Sequence, residues 1–489
     1  MLKLDDTALL ATDAFWDGAW RPAGSGARFA VKNPATGETL AQVADLDETD
    51  VRAAIAAAQK ALPAWRAKTA KERGALMRAW FTLIMAAQED LARLMTAEQG
   101  KPLAETRGEV AYGASFIDWF AEEGKRAYGD VIPTHQAGKR ILVFKEPVGV
   151  VGAVTPWNFP NAMITRKAAP ALAAGCPFLI KPSEETPLSA LALAVLAERA
   201  GVPAGVFNVL PSTKAAAVGL ELTSNPSVRK FSFTGSTPVG KQLIAQCATT
   251  VKKVSMELGG NAPFIVFDDA DMGASPNVID GALASKYRNM GQTCVCANRF
   301  LVQDGIHDAF VARLAEKVAA MKVGDGFQEG VAQGPLINPK AVEKVERLLA
   351  GATADGATVT LGGHRHALGG TFFEPTVVTG VTPDMAIARE EIFGPVATVT
   401  RFSTEAEAIA LANDTDFGLA AYFYTRDVGR VFRVAEALEY GMVAVNDGIL
   451  STEVAPFGGV KQSGLGREGS KYGIEDYLEI KYVLLGGVG

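Results

Sequence analysis

Apolar residues recur at helical spacing through the first part of the chain, from about residue 50 to residue 125. The segments DETDVRAAIAAAQKALPAW (47–65) and KERGALMRAWFTLIMAAQEDLARLMTAEQG (71–100) place them at i, i+3, i+4 and i+7. This period predicts amphipathic helices, each with one face turned toward a core. Gly100, which precedes a Lys-Pro pair, predicts the end of the second helix.

Short β-branched runs then alternate with helical stretches. The segment KRILVFKEPVGVVGAVT (139–155) is strand-like, and LSALALAVLAERAGV (188–202) is helical. Strands are predicted at 151–155, 178–181, 206–210, 230–234, 264–267, 299–303 and 397–402. Such alternation predicts the α/β class, with parallel sheets covered by helices on both faces. The pattern divides near residue 258, so we expect two α/β lobes.

Chain length agrees with two lobes, because 489 residues exceed the ~250–300 at which one hydrophobic core stops growing. Charge or glycine interrupts every apolar stretch before the ~18 residues that a membrane span needs. The N-terminus carries acids and no long apolar run, so neither a membrane segment nor a signal peptide is expected. A net charge of −6 without any basic block argues against nucleic acid and anionic membrane as partners.

Cysteine and histidine are sparse. Four cysteines, Cys176, Cys247, Cys294 and Cys296, are too few for a disulfide scaffold and indicate a reducing compartment, the cytoplasm. The four histidines form neither an HExxH pattern nor a set with a CxxC pair. We therefore expect no metal site.

A glycine turn follows one predicted strand, in the segment KFSFTGSTPVGKQL (230–243). Backbone N–H groups at such a turn, together with the N-terminus of the next helix, attract an anion such as a phosphate. The dinucleotide fingerprint GxGxxG is absent, so the spacing alone equally allows a plain turn into a helix. The segment nearly matches a P-loop, but Gln242 replaces the Ser or Thr that holds magnesium there.

Cys294 lies in a polar segment, SKYRNMGQTCVCANR (285–299), with Arg288 and Arg299 nearby. Positive charge lowers the pKa of a thiol, and the thiolate is the nucleophilic form. A lone cysteine is more often a small buried hydrophobe. The polar surroundings on both sides favour a nucleophile instead.

Two further segments offer groups that could assist a nucleophile. Glu257 stands beside glycines in MELGGNAPFIVF (256–267), where a carboxylate could be a general base. Asn158 ends a predicted strand in TPWNFP (155–160), where its side chain could donate to an oxyanion. Taken singly, an exposed loop acid and an ordinary turn asparagine are the simpler interpretations.

Seven segments in one order resemble the aldehyde dehydrogenase family. They are PWNFP, KPSEETP, FTGST, MELGG, GQTC, EEIFGPV and PFGGVKQSGLGREG. The resemblance extends from about residue 28 to the end. It is closest to the subgroup that oxidises succinate semialdehyde, through ITRKAAPALAAGC (164–176), KYRNMGQTCVCANR (286–299) and GREGSKYGIEDYLEIKY (466–482). The glutarate-semialdehyde subgroup comes next, and a broader aldehyde specificity is the remaining alternative.

This resemblance implies an aldehyde dehydrogenase-like fold with three parts. A Rossmann-like, NAD(P)-binding domain is expected from residues 1–129 and 149–257, and a catalytic α/β domain from residues 258–469. A β oligomerisation arm is expected from residues 130–148 and 470–489. In the family the arm of one subunit extends a neighbour's sheet, so a homodimer or homotetramer is implied.

The same resemblance implies a mechanism. Cys294 attacks the aldehyde carbon, while the Asn158 side chain and the Cys294 backbone N–H hold the oxyanion. Such a donor stabilises a transition state by ~3–4 kcal/mol. After hydride transfer to the nicotinamide, Glu257 activates the water that hydrolyses the thioester, a role that burial supports by raising a carboxyl pKa. CoA-acylating relatives generally lack this Glu, so a free acid is the expected product.

Cofactor contacts are also implied. The expected residues are Thr155, Trp157, Lys181, Ser183, Glu184, Gly235, Ser236, Leu258, Glu391 and Phe393. Gly235 and Ser236 are expected at the pyrophosphate, and Glu391 at the nicotinamide ribose. Glu184 favours NAD over NADP, because a carboxylate accepts from ribose hydroxyls but repels a 2′-phosphate. Lys181 could offset that repulsion, which leaves use of NADP open.

Substrate choice is implied by three residues. Arg166, Arg288 and Ser451 are expected to hold the distal carboxylate of a semialdehyde, since the planar guanidinium binds carboxylate bidentately. The alternative is that both arginines form ordinary ion pairs. Cys296, two residues beyond the nucleophile, is a candidate partner for a reversible disulfide, with an inert small side chain as the equal alternative.

Three other classes of protein fit less well. A non-oxidising binding protein of this fold should have lost its nucleophile or its base, but Cys294 and Glu257 are both present. A P-loop NTPase is opposed by Gln242. The usual serine hydrolase pattern GxSxG occurs nowhere in the chain.

Overall fold

In the computed structural model, which describes residues 2–273 and 275–488, the strands form two large sheets, a smaller third sheet of three strands, and two sheets of two strands each. The strands are β1 Ala14–Trp16, β2 Ala19–Arg21, β3 Arg28–Lys32, β4 Thr39–Ala44, β5 Asp130–Ile132, β6 Lys139–Pro147, β7 Val150–Val154, β8 Phe178–Lys181, β9 Phe207–Val209, β10 Val228–Thr234, β11 Lys253–Glu257, β12 Ala262–Val266, β13 Ala297–Gln303, β14 Thr358–Leu361, β15 Thr376–Thr379, β16 Val396–Phe402, β17 Phe417–Gly418, β18 Ala420–Tyr424, β19 Met442–Val445, β20 Val460–Lys461, β21 Gly464–Leu465 and β22 Leu478–Gly486. The two-stranded sheets are β3-β4 and β17-β20. The α/β class is confirmed.

The helices lie on the faces of these sheets and in the N-terminal region. They are α1 Glu48–Ala67, α2 Ala70–Ala86, α3 Gln88–Gln99, α4 Leu103–Glu123, α5 Ala162–Ala174, α6 Pro187–Arg199, α7 Ala215–Ser224, α8 Thr237–Ala248, α9 Val278–Tyr287, α10 His307–Ala319, α11 Pro339–Ala354, α12 Ala386–Arg389, α13 Glu405–Asn413 and α14 Val428–Ala437. Across the described part of the chain, none of these helices combines the length and the apolar character needed to cross a bilayer.

The N-terminal helices begin and end where the sequence provides caps. Asp47 accepts hydrogen bonds from the first turn of α1, and Thr69 caps α2 in the same way. The single helix predicted at 71–100 is two helices, because the chain leaves helical geometry at Ala87 while the apolar period continues. Gly100 ends α3 with a φ of 95°, as predicted for a left-handed C-cap.

The first large sheet has the strand order β2-β1-β9-β8-β7-β10-β11-β21. Strands β9, β8, β7, β10 and β11 are parallel, and their cores are fully buried. The register places Val154 beside Lys181, and Thr234 beside Glu257. The loops that follow β7, β8, β10 and β11 therefore leave one edge of the sheet together, where ligands bind in open α/β folds.

The second large sheet has the order β14-β15-β16-β13-β12-β18-β19 and is parallel except for β14. Ala262 pairs with Ala297, and Arg299 pairs with Thr398, so β12, β13 and β16 begin side by side. The loops that enter these three strands carry the GQTC and EEIFGPV segments. They face the carboxyl edge of the first sheet.

The chain passes between the two sheets at residues 258–261, since β11 ends at Glu257 and β12 starts at Ala262. Strand β21 returns to the first sheet and pairs with β11. This pairing brings residues of the segment predicted as catalytic domain to the edge of the other sheet. The domain boundaries themselves stay a prediction.

The third sheet is antiparallel, in the order β22-β6-β5. It is formed by the two segments predicted as an oligomerisation arm. Several of its large apolar side chains are exposed, including Val131 at 80%, Ile480 at 69% and Tyr482 at 58%. In the single chain, this surface is the largest departure from the rule that strands bury an apolar face.

Candidate active site

A cavity of about 330 Å³ opens between the carboxyl edge of the first sheet and the strand starts of the second. Its lining residues are Pro156, Trp157, Asn158, Thr234, Gly235, Ser236, Leu258, Gly259, Cys294, Ile337, Asn338, Lys340, Ala341, Lys344, Glu391 and Phe393. The loops after β7, β10 and β11 supply one wall, and the loops before β13 and β16 supply the other together with the start of α11. The cavity thus brings together five of the seven sequence segments.

Cys294 and Asn158 meet at the base of this cavity. Cys294 is partly exposed to it, whereas Asn158 is 3% exposed. The Asn158 Nδ2 donates to the backbone oxygen of Gln292 at 3.0 Å, two residues before the cysteine. An amide nitrogen carries two hydrogens, so the second one is free to donate toward a group bound at the thiol. The predicted pairing of nucleophile and oxyanion donor is geometrically available.

The environment of Cys294 differs from the one we predicted. Burial and, to a smaller extent, the carboxylate of Glu391 raise the pKa of the thiol to about 12, while Arg166 opposes the rise. Arg299, which was expected to lower this pKa, turns away and donates to the backbone oxygens of Asn261 and Leu411. The prediction of a thiol acidified by its flanking arginines was wrong, because sequence proximity does not determine the direction of a side chain.

Glu257 ends β11 and is 3% exposed. Within residues 2–273 and 275–488, neither carboxylate oxygen has a hydrogen-bond partner. Burial raises the pKa of this carboxyl well above its ordinary value, and the neighbouring Glu468 adds to the rise, whereas Arg166 and Lys167 oppose it. A carboxylate with a raised pKa is a stronger base, and its open lone pairs leave it able to accept a proton from water.

Glu468 pairs with the two cations near Glu257, Arg166 and Lys167. It is buried, forms an ion pair with Lys167, and lies 2.7 Å from the Arg166 guanidinium. Burial opposes its ionisation, but the two cations lower the pKa of Glu468 below its ordinary value. Glu468 and Lys167 lie within segments quoted above, yet no motif pointed to their pairing.

The glycine turn lies at the β10–α8 junction. The Gly235 N–H donates to the Glu257 backbone oxygen at 3.0 Å, which ties the turn to the end of β11. Ser236 is the N-cap of α8 and makes no side-chain cap bond. The hydroxyl oxygens of Thr155 and Thr234 are buried without a partner in the described chain. A helix N-terminus beside unsatisfied hydroxyls suits a pyrophosphate.

Glu391 and Phe393 form the opposite wall. Glu391 accepts from the Gly260 N–H at 3.0 Å, and burial raises the pKa of its carboxyl. Phe393 has a φ of 57° and meets the Trp157 ring edge-on, with centroids 5.6 Å apart. These residues leave a slot lined by aromatic and carboxylate groups, which fits a nicotinamide riboside. The predicted cofactor residues at this end therefore fit the group.

Four predicted cofactor residues do not line the cavity. Lys181 is the last residue of β8, and its backbone oxygen accepts from the Thr155 N–H at 3.2 Å. Glu184 contacts the Lys181 ammonium at 3.0 Å, and the Ser183 hydroxyl accepts from the backbone N–H of the next acid, Glu185, at 3.2 Å. The structure brings this set together at the neighbouring strand ends, outside the cavity.

Arg166 and Arg288, which were predicted to bind the carboxylate of the substrate, belong to a second group of residues. Arg166 is 1% exposed, stacks 3.9 Å from the Phe457 ring centroid, and pairs with Glu468. Burial alone would lower the pKa of Arg166, but the Glu468 carboxylate raises it above its ordinary value. Arg288 is half-buried, with its guanidinium 5.5 Å from the Phe159 ring centroid. Neither arginine is a surface ion pair.

Tyr112 belongs to this second group, although the sequence did not single it out. Its hydroxyl oxygen is buried and has no hydrogen-bond partner among the described residues. Burial raises the pKa of the hydroxyl, while the charges of Arg166 and Arg288 oppose that rise, and Ser451 lies beside it. Tyr112 is on α4, far away in sequence from the other three residues, so only the fold brings them together.

Cys296 is 7% exposed, and its thiol donates to the Lys286 backbone oxygen at 3.5 Å. Burial raises its pKa. Because burial raises the pKa of both thiols, neither Cys294 nor Cys296 offers the low-pKa thiolate that oxidises most readily. The pairing of Cys294 with Cys296 stays a prediction.

The cleft combines a glycine turn, an aromatic slot and a cysteine between two α/β sheets. This combination is typical of one class of protein, the cysteine-dependent oxidoreductases that bind a dinucleotide. Comparison with known proteins makes this specific. A model of the aldehyde dehydrogenase family matches residues 20–483. The chain belongs to the aldehyde dehydrogenase family.

Three relatives illustrate the similarity. The chain is 62% identical over 487 residues to a glutarate-semialdehyde dehydrogenase of Pseudomonas aeruginosa, with 100% of both chains covered. It is 62% identical over 485 residues to an Escherichia coli succinate-semialdehyde dehydrogenase named for NADP(+), with 99% and 100% covered. The crystal structure of succinate-semialdehyde dehydrogenase from Burkholderia pseudomallei has a TM-score of 0.97 at 61% identity, covering 99% and 100%. The predicted family and fold are confirmed, as is the use of NAD(P).

Proposed function

We propose that this protein oxidises succinate semialdehyde to succinate with NAD(P), through a thiohemiacetal and a thioester on Cys294. The observation that carries the proposal is a cysteine in a dinucleotide-type cleft that interacts with the charge of Arg166, which together with Arg288 surrounds the Tyr112 hydroxyl. Arg288 is half-buried, yet it has no carboxylate partner within 4.0 Å among the described residues. A desolvated cation without a partner favours a substrate that carries an anion.

Acylation begins when the Cys294 thiol releases its proton to water and the thiolate sulfur attacks the aldehyde carbon. The carbonyl oxygen becomes an oxyanion, which accepts from the free hydrogen of the Asn158 carboxamide and from the Cys294 backbone N–H. Bound NAD(P)⁺ supplies the acceptor for the hydride that then leaves the carbon, so the aldehyde carbon is oxidised by two electrons. The product on the protein is a thioester.

Hydrolysis of that thioester requires a base. Glu257 takes a proton from water as the water oxygen adds to the thioester carbon, and the Cys294 thiolate leaves. Its raised pKa and its unpartnered oxygens suit this proton transfer. The free acid, rather than an acyl-CoA, is the product.

Substrate choice rests on the group around Arg288. The carboxylate of the semialdehyde accepts from Arg288 and from the hydroxyls of Ser451 and Tyr112, while Arg166 supplies a buried positive charge. Glutarate semialdehyde is the alternative, supported by the Pseudomonas aeruginosa relative. The two substrates differ by one methylene, which a pocket separates by only ~1–3 kcal/mol.

NAD is the favoured cofactor. The Glu184 carboxylate contacts the only cation of its turn, Lys181, at 3.0 Å. That contact leaves less positive charge for a 2′-phosphate and keeps a carboxylate where ribose hydroxyls would donate. The Escherichia coli relative named for NADP(+) argues for the opposite preference.

Homo-oligomerisation through the third sheet is part of the proposal. Strand β22 is an edge strand with unpaired backbone groups and exposed Ile480 and Tyr482. A second copy of the chain would cover both features. Light scattering of wild type and of Ile480→Lys should show a dimer or tetramer and a smaller species, respectively. A cytoplasmic location completes this proposal, supported by four cysteines that are all free thiols.

A reversible Cys294–Cys296 disulfide is proposed as a regulatory state. The two thiols lie close enough for the charge of Cys296 to raise the pKa of Cys294. Peroxide oxidises the pair to the disulfide and is itself reduced to water. Inactivation by peroxide should be reversed by a thiol reductant, and Cys296→Ser should abolish only the reversal. Irreversible loss in wild type would contradict the proposal.

The test of substrate and cofactor is formation of reduced cofactor with three aldehydes. Succinate semialdehyde, glutarate semialdehyde and the neutral hexanal are each compared with NAD and with NADP. We expect the highest kcat/KM with succinate semialdehyde and NAD. A higher kcat/KM with hexanal would contradict the role of Arg288, and a higher kcat/KM with NADP would contradict that of Glu184.

A further inference from the structure

The backbone carbonyl of Asn158 is held by two buried side chains from distant parts of the chain. The Lys101 ammonium donates to it at 2.7 Å, and the Asn289 carboxamide donates to it at 3.0 Å. Lys101 is 0% exposed and follows the helix-ending Gly100. A single carbonyl that receives two buried donors, one of them charged, is unusually constrained.

Lys101 also fixes the segment that follows Asn158, through its ion pair with Glu109. The other carboxylate oxygen of Glu109 accepts from the backbone N–H groups of Asn161 and Ala162 at 3.0 and 3.3 Å. One buried ion pair therefore holds the middle of the short loop between β7 and α5, at Asn158, and its junction with α5. Burying such a pair has a large desolvation cost, which apolar side chains would avoid.

Asn289 connects the same carbonyl to the nucleophile loop. Its Nδ2 also donates to the Gln292 backbone oxygen at 3.2 Å, the atom that accepts from the Asn158 carboxamide. Its Oδ1 accepts from the Gln99 side chain at 2.9 Å. The Asn158 residue is thus held at its backbone by Lys101 and Asn289, and at its side chain by the loop that carries Cys294.

We propose that Lys101 is a positioning residue for the oxyanion donor: through the Asn158 carbonyl it sets the direction of the Asn158 carboxamide relative to Cys294. The inference rests on the proposed roles of Cys294 and Asn158. Lys101 does not line the cavity. The effect of Lys101 on the reaction must therefore pass through Asn158. A residue that only stabilises the fold would have no such dependence on Asn158.

The test is acylation of Cys294 by p-nitrophenyl acetate, followed as a burst of nitrophenolate. The thiolate attacks the ester carbon, the acetyl group becomes a thioester, and nitrophenolate leaves with its electron pair. This reaction needs the nucleophile and the oxyanion donors, but neither NAD(P) nor a particular aldehyde. Four proteins form a double-mutant cycle: wild type, Lys101→Met, Asn158→Ala and the double variant.

We expect Lys101→Met to slow the burst at least tenfold, and to slow it less than twofold when Asn158 is already Ala. Alkylation of Cys294 by iodoacetamide, which needs no oxyanion donor, should change less than twofold. The matched control is Lys252→Met. Lys252 is also buried and donates to two backbone oxygens, those of Asn225 and Val228, away from the cavity. This control should leave the burst unchanged in both backgrounds.

Equal slowing by Lys101→Met with and without the Asn158 carboxamide would overturn the inference. An unchanged burst in Lys101→Met would also overturn it. If Lys101→Met does not fold, Asn289→Gly removes the other donor to the same carbonyl and is tested in the same cycle, since glycine tolerates the φ of 51° there. Absence of a burst in wild type would instead contradict the proposed function of Cys294.

Discussion

The base of the cleft and its recognition ends are built differently. At the base, Glu257 ends β11, and Cys294 and Asn158 lie in the loops before β13 and after β7. The Asn158 side chain donates to the Gln292 backbone oxygen in the loop that carries Cys294, and the Glu257 backbone oxygen accepts from the Gly235 N–H. At the ends, Arg288 and Glu184 are half-buried or exposed, and each has few partners. The difference shows that the base is constrained for one reaction, whereas the ends can change without disturbing the fold. Substitutions at the base should affect every substrate, and those at the ends should affect only some.

The largest expected effect is that of Cys294→Ala. Without the sulfur no covalent intermediate forms, so kcat should fall at least about 10⁴-fold with every aldehyde. Steady-state formation of reduced cofactor measures this. Cys247→Ser, a buried cysteine on α8, is the matched control and should keep its activity within twofold. Substantial turnover by Cys294→Ala would show that the base of the cleft has another nucleophile.

Glu257→Gln should separate the two halves of the reaction. Removal of the base slows hydrolysis by about 10²–10⁴-fold, while a burst of reduced cofactor of one equivalent per site remains. In wild type, hydrolysis needs the carboxylate form, and the raised pKa of Glu257 means that activity falls as pH falls through a value above the ordinary carboxyl range.

Two pH profiles test this assignment. The acid-side inflection of kcat should disappear in Glu257→Gln. It should move to lower pH in Glu468→Gln, because the Glu468 charge contributes to the raised pKa of Glu257. Persistence of an unchanged inflection in Glu257→Gln would assign it to another group.

Arg288→Leu should act on only one class of substrate. Loss of a charged hydrogen bond of about 1.5–3 kcal/mol lowers kcat/KM for succinate semialdehyde by about 10–10²-fold. The value for hexanal should change less than threefold. Arg52→Leu, a surface arginine paired with Glu221, is the control and should alter neither. Equal losses for both aldehydes would mean that Arg288 stabilises the base of the cleft rather than the recognition end.

Glu184→Ser should produce the smallest change, confined to the cofactor. At a solvent-exposed position, removal of one carboxylate relieves about 1–2 kcal/mol of its repulsion of the 2′-phosphate of NADP. The ratio of kcat/KM with NADP to that with NAD should therefore rise about tenfold. A ratio that does not move would place the adenosine ribose elsewhere.

The same contrast explains what the sequence could predict. Strands, the glycine turn at Gly235 and the end of α3 at Gly100 follow from local backbone preferences, which are written in neighbouring residues. The break between α2 and α3 at Ala87 does not follow from such preferences, because the helical spacing of apolar residues continues across the short kink. The candidate residues at the base were predicted from short motifs, in which residues that are close in sequence stay close in the folded structure.

Contacts between distant segments could not be predicted in this way. Lys101 was noted only as part of a helix end, and Tyr112 not at all, because Asn158 lies 57 residues from Lys101 in sequence and Arg166 lies 54 residues from Tyr112. The direction of Arg299 and the raised pKa of Cys294 depend on burial, which composition does not report. Charge in a buried site is determined by tertiary packing, so sequence proximity was the wrong guide there.

The most direct test of the account is capture of the acyl intermediate. Glu257→Gln is mixed with succinate semialdehyde and NAD, quenched in acid, and analysed by peptide mass spectrometry. The account predicts one succinyl group per chain, attached to the peptide that contains Cys294, and none in Cys294→Ala. A succinyl group on another residue, or a full burst of reduced cofactor without any acylated peptide, would contradict it.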